Sequence, residues 1–394
     1  MRRSIGIVTD NIYPVLDGSS LRVSRLVQAI RSEARDYDMW LIAAVQSEHA
    51  AQFLEWCDQH RLTVSVHLYD GNLFEPANRA RFASWVRPEV ERIREQVQGF
   101  IVFGGIAIDV CSEAIGESVA IADVCDEKSP HALHAVASHL RNWRLHSAIR
   151  QTWWLYLYLK RIHRSLRPYR AVTVAAHDDA KRLHHLSRHP HILVVPNGVD
   201  VVSSCPDVFN GLGKKSAIFH GVLDYPPNWD AVVYLLRKIC PLVYRLDPEV
   251  KFYVVGRNPD AQLYRYARLT RNAEIVGPVD DIWSWLCSAK LGVYPIRLRT
   301  GIQNKLLEAW AAGLPVVTST QAMSVFRTSE NQEVPAIVAR SAADFARAIV
   351  STLTDETRRA ALGRSAKEFV ARRFRWEKSA GSFLRLLGIS PSDH

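Results

Sequence analysis

The chain has 394 residues, of which 48% are hydrophobic and 23% are charged, with 19 glycines and 18 prolines. This is the composition of a globular protein with room for two domains of about 150–200 residues each, and it excludes a disordered or fibrous chain. The net charge of +10 is concentrated in residues 131–191, where eleven lysines and arginines outnumber two acids, and such a segment attracts polyanions such as nucleic acid, an anionic membrane or phosphorylated ligands.

Targeting and redox signals are weak. Residues Met1–Asp10 contain only a four-residue apolar stretch, which is too short for a signal peptide, and no run of about 18 uncharged apolar residues occurs. The six cysteines are scattered without a C-x-x-C pair, so they indicate neither a zinc site nor a disulfide framework, and we expect reduced thiols. We therefore expect a cytoplasmic protein.

Short apolar runs alternate with helical patterns through the first half of the chain. The predicted strands are Ser4–Val8, Met39–Ala44, Thr63–His67, Phe100–Phe103, Ser118–Asp123, Ala171–Ala175 and Ile192–Val195. Strands separated by helices form βαβ units around a parallel sheet. The first half is therefore predicted to be a doubly wound α/β domain.

The same alternation begins again after Pro196. The predicted strands are Ala217–His220, Lys251–Val255, Glu274–Val276, Leu291–Tyr294 and Pro315–Thr318, and the predicted helices are Trp229–Arg245, Ala261–Thr270, Ile282–Ser288 and Ile302–Ala312. Pro196 disfavours a helical residue before it, and Asn197-Gly198 is typical of a sharp turn. We place the domain boundary there and expect a ligand site outside the carboxyl ends of the strands, in the cleft between the halves.

The most informative segment is Arg297–Thr318. Ile302, Leu306 and Trp310 recur at helical spacing, so one helix face packs on a sheet. Gly301 is predicted to begin this helix without a side chain, which leaves the first N–H groups and the positive end of the helix dipole open to a diphosphate.

Lys305 and Glu308 lie three residues apart on the flank of the same helix. A lysine near phosphate and a carboxylate one turn further on, which accepts hydrogen bonds from ribose, would suit a nucleoside diphosphate. Spacing alone leaves the simpler interpretation ahead, a surface ion pair worth a few tenths of a kcal/mol.

The segment Gly301-Ile-Gln-Asn-Lys-Leu-Leu-Glu-Ala-Trp-Ala-Ala-Gly-Leu-Pro-Val-Val317 closely resembles the nucleotide-sugar signature of retaining GT-B glycosyltransferases of the family 4 type (glycosyl transferases group 1). Five other segments agree in order: Tyr13–Arg22, Val194–Asp200, Ile218–Asp230, Tyr253–Arg257 and Ile275–Val279. The resemblance covers nearly the whole chain. It is closest to the bacterial branch of sugar transferases associated with exported polysaccharides.

The resemblance implies a GT-B fold, in which two Rossmann-like doubly wound domains face an interdomain cleft. It implies an acceptor-binding N-terminal domain at 1–196, a nucleotide-sugar-binding domain at 197–373, and a C-terminal helix at 374–394 that docks back near the first domain. Trp376, Phe383 and Leu387 fall on one stripe of that helix, which needs an apolar partner.

The resemblance also implies site residues. Glu308 binds the donor ribose, Lys305 and the backbone after Gly301 meet the diphosphate, and the first βα loop approaches the donor phosphates. The predicted donor site comprises Gly18, Ser19, Gly221, Asn228, Arg257, Arg297, Thr300, Gly301, Ile302, Lys305 and Glu308. The predicted catalytic residues are Asp126, Glu127 and Lys305, the two acids following a strand of the first domain; helix capping is the other interpretation of these acids.

The sequence departs from the family pattern in two respects. Thr300 stands where the first glutamate of the usual E-x7-E pair is expected. Val222 follows Gly221, and Pro227-Asn228 stands where a lysine of the common basic pair is expected. Arg257, Arg297 and Arg299 are the candidate replacements for the missing positive charge.

Other signals point away from metal and nucleic acid. Asp36-Tyr-Asp38 matches the D-x-D of metal-dependent transferases but precedes a strand, so a solvated turn is favoured, and His184, His185, His189 and His191 lie in a basic stretch. No nucleic-acid module is visible. The basic, aromatic segment 139–167 is predicted to be a long helix with aromatic core contacts, with peripheral contact to an anionic membrane at the inner membrane face as the alternative.

Together these features predict a metal-independent, cofactor-free, retaining glycosyltransferase. Its partners would be a nucleoside diphosphate sugar and a glycan, lipid-linked or small-molecule acceptor with a free hydroxyl. Two alternatives stay open: a catalytically silent GT-B subunit that binds nucleotide or carbohydrate, and a sugar-nucleotide epimerase.

Overall fold

The computed structural model describes residues 3–15, 17–125, 145–200, 212–298, 301–326 and 334–391, with residues 129, 132, 133 and 136. The chain divides into two compact units. The first unit is Met1–Asn197 with Trp376–His394, and the second unit is Gly198–Arg375.

The first unit is built on a seven-stranded parallel sheet. Its strands are β1 (Ser4–Thr9), β2 (Asp38–Gln46), β3 (Thr63–Tyr69), β4 (Phe100–Phe103), β5 (Ala120–Cys125), β6 (Ala171–Val174) and β7 (Ile192–Val194). They run in the order β3-β2-β1-β4-β5-β6-β7, so the sheet winds outward in both directions from β1 and β4. This order confirms the predicted doubly wound architecture.

Helices cover both faces of this sheet. They are α1 (Gly18–Glu33), α2 (Ala50–Gln59), α3 (Pro76–Ile93), α4 (Gly105–Cys111), α5 (Leu145–Leu166), α6 (His177–Ser187) and, at the end of the chain, α15 (Trp376–Leu386). Neighbouring residues of β1 face opposite sides: Ile7 joins the core with Leu26 of α1, and Val8 joins the core with Phe82 of α3. Near-continuous apolar strands are therefore required.

A buried ion pair ties α1 to the sheet. Arg22 donates from Nε and Nη2 to the two carboxylate oxygens of Asp123, each at 2.8 Å, and both side chains are almost fully buried. Nη1 of Arg22 donates to Asn197 Oδ1 at 2.6 Å, and Thr173 Oγ1 donates to Asp123 at 2.6 Å. The pair therefore joins α1, β5, β6 and the last residue of the unit's first segment.

Helix α15 belongs to the first unit although 178 residues of the second unit precede it in the chain. Its apolar stripe is buried: Trp376, Phe383, Leu384 and Leu387 all join the core that contains α1. The Phe383 ring lies 5.7 Å from that of Phe103 on β4. The stripe thus has an apolar partner within the first unit.

Helix α5 presents a different face from the one predicted. Leu155, Ile162 and Leu166 are buried, but Trp153 and Tyr156 are 61% and 51% exposed. The expectation of aromatic core contacts is wrong for these two, because the helix places the aliphatic residues toward the sheet.

The second unit has a six-stranded parallel sheet. Its strands are β8 (Ser216–His220), β9 (Lys251–Val255), β10 (Ala273–Gly277), β11 (Leu291–Tyr294), β12 (Val316–Ser319) and β13 (Ile337–Ala339), in the order β10-β9-β8-β11-β12-β13. The α-helices are α7 (Pro226–Tyr234), α8 (Cys240–Leu246), α9 (Ala261–Arg268), α10 (Ile282–Ser288), α11 (Asn304–Ala311), α12 (Thr320–Met323), α13 (Ala342–Thr354) and α14 (Glu356–Arg373). A π-helical turn, Leu235–Ile239, joins α7 to α8.

Two expectations need correction. The predicted helix Ile302–Ala312 begins later, at Asn304, because Gly301 has a φ of +45° and Gln303 occupies the N-cap. Cys287 forms a disulfide, so the expectation of reduced thiols is wrong for Cys287, whereas Cys57, Cys111, Cys125 and Cys240 are free. Cys205 lies outside the described residues. Spacing along the chain does not reveal which thiols meet in the folded protein.

Within the described residues, no helix combines the length and the apolar character that crossing a bilayer requires.

Replacing Phe383 by alanine is expected to lower the free energy of unfolding of the first unit by about 3–5 kcal/mol, the usual cost of deleting a buried ring. Urea unfolding, with hydrogen exchange of α1 peptides, measures this. Lys378→Ala on the exposed face of α15 is the control, with an expected change within about 0.5 kcal/mol. Equal effects of the two variants would show that α15 does not stabilise the unit.

Candidate donor-binding site

Three polar side chains form a hydrogen-bonded chain at the carboxyl ends of β8 and β11. The Tyr294 hydroxyl lies 2.8 Å from His220 Nδ1, and His220 Nε2 lies 2.8 Å from Glu308 Oε2. Tyr294 and His220 are buried, whereas a quarter of the Glu308 side chain is exposed. The chain of hydrogen bonds therefore runs from the core to the carboxylate of a partly exposed side chain.

The strand ends and helix α11 position these groups. His220 and Tyr294 are the last residues of their strands, and β8 pairs directly with β11. Ala309 and Trp310 of α11 are buried, so Glu308 lies on the flank of the helix beside its packed face. The carboxyl ends of parallel strands are where α/β proteins bind ligands.

The pKa values of this group follow from burial and from the partners. Burial alone would raise the pKa of Glu308, but the hydrogen bond from His220 and the nearby His220 and Lys305 hold it below the ordinary 4.5. Burial raises the pKa of the Tyr294 phenol well above 10.0, and Glu308 raises it further. The Tyr294 phenol therefore stays protonated at neutral pH, and the two ring nitrogens of His220 lie between this hydroxyl and the Glu308 carboxylate.

Lys305 provides a cation beside this carboxylate. Its Nζ donates to Gln303 Oε1 at 3.2 Å. Burial lowers the pKa of Lys305 from 10.5 to about 8, against the attraction of Glu308, which raises it. The lysine is therefore mostly charged at neutral pH but poorly solvated, and an anionic ligand would stabilise its charged form.

Gly221 lies against Lys305 and Asn228. Its φ of +147° is one that glycine adopts readily, and a Cβ there would come within 2.8 Å of Asn228 Nδ2 and 3.3 Å of Lys305 Cε. Asn228 Nδ2 donates to the Val222 carbonyl at 2.8 Å, while its buried Oδ1 has no hydrogen-bond partner in the described chain. The structure thus brings together four of the predicted donor-site residues: Gly221, Asn228, Lys305 and Glu308.

The other predicted donor-site residues of the second unit are placed differently. Gly301 is buried and Ile302 half-buried in the turn before α11. Arg297 is engaged elsewhere: it forms a bidentate ion pair with Asp230 and lies 4.6 Å over the Tyr234 ring. Arg257 follows β9 and is exposed.

Gly18 and Ser19 are in the first unit, at the start of α1. Asp17 caps this helix: its side chain accepts from the Ser20 N–H, and the Asp17 N–H donates to Ser20 Oγ. Gly18 is exposed and Ser19 is half-buried. Asp126, Glu127 and Thr300 lie outside the described residues, so their predicted roles stay predictions.

Sequence reasoning missed His220 and Tyr294. His220 stands in the segment Ile218–Asp230 that carries part of the family resemblance, directly before Gly221. A polar residue that ends a buried strand and precedes a glycine was the available signal. Tyr294 gives no comparable signal, because its hydroxyl reaches His220 only through the pairing of β8 with β11.

Residues 214–355 match the sequence family described as Glycosyl transferases group 1. No curated protein matches the chain in sequence. Among solved structures, HepE of Anabaena in complex with UDP and glucose is similar over 98% of this chain and 99% of its own, with a TM-score of 0.67 at 12% identity. Sucrose-phosphate synthase of Thermosynechococcus elongatus is similar over 98% of both chains, with a TM-score of 0.70 at 15% identity.

The fold is GT-B. A glycosyltransferase of Rickettsia africae is also similar over 98% of both chains, with a TM-score of 0.67 at 10% identity. These likenesses show the fold alone, and they confirm the predicted architecture of two Rossmann-like doubly wound domains.

Lys305 is expected to titrate near pH 8, losing its charge as the pH rises through that value because burial disfavours the ammonium ion. Glu308→Gln should lower this midpoint further, since it removes the attracting carboxylate. NMR of ¹³Cε-lysine-labelled protein follows the titration, and the resonance missing in Lys305→Arg assigns it. A midpoint near the ordinary 10.5, or one unchanged by Glu308→Gln, would contradict the described environment.

Proposed function

We propose that this protein is a retaining glycosyltransferase that moves a sugar from a nucleoside diphosphate sugar to a hydroxyl of an acceptor. The observation that carries this proposal is the ionised Glu308 held by buried His220 beside Lys305, within the segment that matches Glycosyl transferases group 1. The UDP, glucose and UDP-glucose complexes of HepE, a protein with the same fold, support a nucleotide-sugar donor.

Glu308 binds the ribose of the donor, and Lys305 binds its diphosphate. The Glu308 carboxylate accepts hydrogen bonds from the ribose hydroxyls, and such charge-assisted bonds are worth about 1.5–3 kcal/mol each. Lys305 meets the diphosphate, with the backbone near Gly301 and Ile302. Gly221 has no side chain, so main chain can approach the ligand closely there.

Catalysis requires that the departing diphosphate be stabilised and that the acceptor hydroxyl be positioned. In a retaining transfer the acceptor hydroxyl attacks the sugar carbon from the same face from which the leaving group departs. A phosphate oxygen of the leaving diphosphate then takes the hydroxyl proton, so no dedicated base is needed. Lys305 contributes charge, and the first turn of α1, with Gly18 and Ser19, is proposed to approach the donor phosphates. Asp126 and Glu127 are the proposed catalytic residues of the first domain.

The acceptor is a glycan, a lipid-linked molecule or a small molecule, and residues 1–196 bind it. The resemblance to the exported-polysaccharide branch supports an acceptor of this kind. A silent nucleotide-binding subunit is the main alternative, because Thr300 and Val222 depart from the family pattern. Arg297 does not simply replace the missing charge, since Asp230 already neutralises it.

Glu308→Gln is expected to weaken nucleotide binding by about 10–150-fold, the equivalent of 1.5–3 kcal/mol, because the amide lacks the charge that strengthens the ribose bonds. Isothermal titration calorimetry with UDP, GDP and dTDP measures this and identifies the base. Exposed Glu274→Gln in the same unit is the matched control and should bind as the wild type does. Unchanged affinity in Glu308→Gln would remove Glu308 from the site.

Sugar transfer is expected to continue in EDTA, because protein cations and backbone N–H groups meet the diphosphate charge. The assay follows release of the nucleoside diphosphate from the donor that binds best, with and without a pool of glycan and lipid acceptors. A requirement for added divalent metal would contradict metal independence. Nucleotide binding without any turnover would favour the silent subunit, and donor conversion without an acceptor would favour the epimerase.

Helix α5 is proposed to touch the inner membrane face. Leu145, Ile149, Trp153 and Tyr156 form an exposed apolar stripe, with Ile149 70% exposed, and basic residues lie on the same helix. Such a surface binds anionic lipid through apolar burial and charge together. Co-sedimentation with vesicles containing phosphatidylglycerol should therefore weaken in an Ile149→Ser, Trp153→Ser double variant, and equal binding of both proteins would contradict this contact.

A further inference from the structure

A cavity of about 210 Å³ lies within the first unit. It opens among α3, α4 and α5, and both Gly105, just after β4, and Val124, near the end of β5, line it. The cavity is therefore at the carboxyl ends of two central strands, where α/β sheets bind ligands. None of the described residues of the proposed donor site lines it.

The walls of this cavity are mainly apolar. Ile106, Ile108, Leu157 and Ile162 line it, and Phe74 stands at its edge with 68% of its surface exposed. Apolar cavities of about 150 Å³ already accept benzene, so this one has room for a ring or a short alkyl chain. An exposed ring beside an apolar cavity gains burial when a ligand occupies the cavity.

The neighbouring glycines Gly104 and Gly105 differ in the space that surrounds them. A Cβ on Gly104 would lie 1.8 Å from Asp10 Oδ1, so the fold itself requires glycine there. A Cβ on Gly105 would meet no atom within 4 Å. Gly105 thus faces open space that a side chain could fill without a clash at its first carbon.

Charge at the cavity is unbalanced. Arg79 and Arg161 both face the carboxylate of Asp109, which Arg79 binds directly and Arg161 approaches to 3.9 Å. Ser165 Oγ donates to the other Asp109 oxygen at 2.5 Å. Among the described residues that line the cavity, one carboxylate faces two guanidinium groups, which leaves an excess of one positive charge, and the two arginine side chains are 34% and 56% exposed. The Asp10 carboxylate does not line the cavity and accepts from the backbone N–H groups of Ile106 and Ala107.

We propose that this cavity binds an amphipathic anion, with the apolar part inside and the phosphate or carboxylate on Arg79 and Arg161. The apolar walls recognise the chain or ring, and the excess guanidinium charge recognises the head group. Because its described lining residues differ from those of the proposed donor site, this proposal can be tested separately from the glycosyltransferase proposal.

Alkyl phosphates of increasing length test the proposal on the full-length protein by calorimetry, below their critical micelle concentrations. From butyl to octyl phosphate, each methylene that enters the cavity should tighten binding by about fourfold, until the cavity is full. Inorganic phosphate should bind at least a hundredfold more weakly than octyl phosphate, and 1-octanol at least tenfold more weakly. Equal affinity of inorganic and octyl phosphate, or no binding of any alkyl phosphate, would overturn the proposal.

Two variants separate the apolar and charged parts. Gly105→Leu should weaken octyl phosphate and 1-octanol binding by at least tenfold, because its side chain occupies the cavity. Arg79→Gln should weaken octyl phosphate by about tenfold and leave 1-octanol unchanged. Arg87→Gln, which removes an exposed partner of Glu113 away from the cavity, is the control and should change neither. A stable Gly105→Leu protein with wild-type affinity would show that the ligand binds elsewhere.

Nucleotide binding by the same variants keeps the two proposals apart. Gly105→Leu and Arg79→Gln should bind the nucleotide as the wild type does, which also shows that they are folded. If Gly105→Leu is unstable, photo-crosslinking of the wild type with a diazirine-bearing octyl phosphate replaces it. Mass spectrometry should then find the label in residues 105–111 or 157–166, and a label confined to other peptides would overturn the assignment.

Discussion

The hydrogen bond between His220 and Glu308 is the interaction on which the candidate donor site depends. A carboxylate that is mostly removed from water is costly unless a partner compensates it. Here the compensation comes from a histidine at the end of β8, which a tyrosine at the end of β11 orients in turn. Three elements that are far apart in the sequence must therefore be correctly placed before Glu308 can present an ionised carboxylate.

The first unit also contains a buried polar cluster, the ion pair of Arg22 and Asp123, which holds a helix against the sheet. Arg22 and Asp123 are both buried and bind each other in bidentate geometry, and Asn197 completes the set. Removing one partner of such a pair leaves an uncompensated buried charge, which usually costs about 3–5 kcal/mol. The pair therefore favours one arrangement of α1 against β5, and it places α1, whose first turn carries Gly18 and Ser19, in a defined position.

The two polar clusters explain why sequence reasoning found some residues of the candidate site and missed others. Glu308 and Lys305 stand in a contiguous segment with a recognisable pattern, and Gly221 and Asn228 lie in a second one. His220 and Tyr294 derive their roles from strand pairing, which no local pattern expresses. Arg297 stays a prediction, and the fold pairs it with Asp230, a partner that no local pattern indicates.

The architecture follows from the sequence: apolar runs of strand length alternate with helical periodicity, and a parallel sheet is the arrangement that buries both faces of such strands. The helix that carries Lys305 and Glu308 is also visible in the sequence. The folded chain is needed to show where that helix begins, which partners surround its carboxylate, and that an apolar cavity whose lining carries excess positive charge lies in the first unit. The physical reason is that periodicity is a local property of a chain, whereas burial, pKa and cavities depend on atoms that the fold brings together from distant positions.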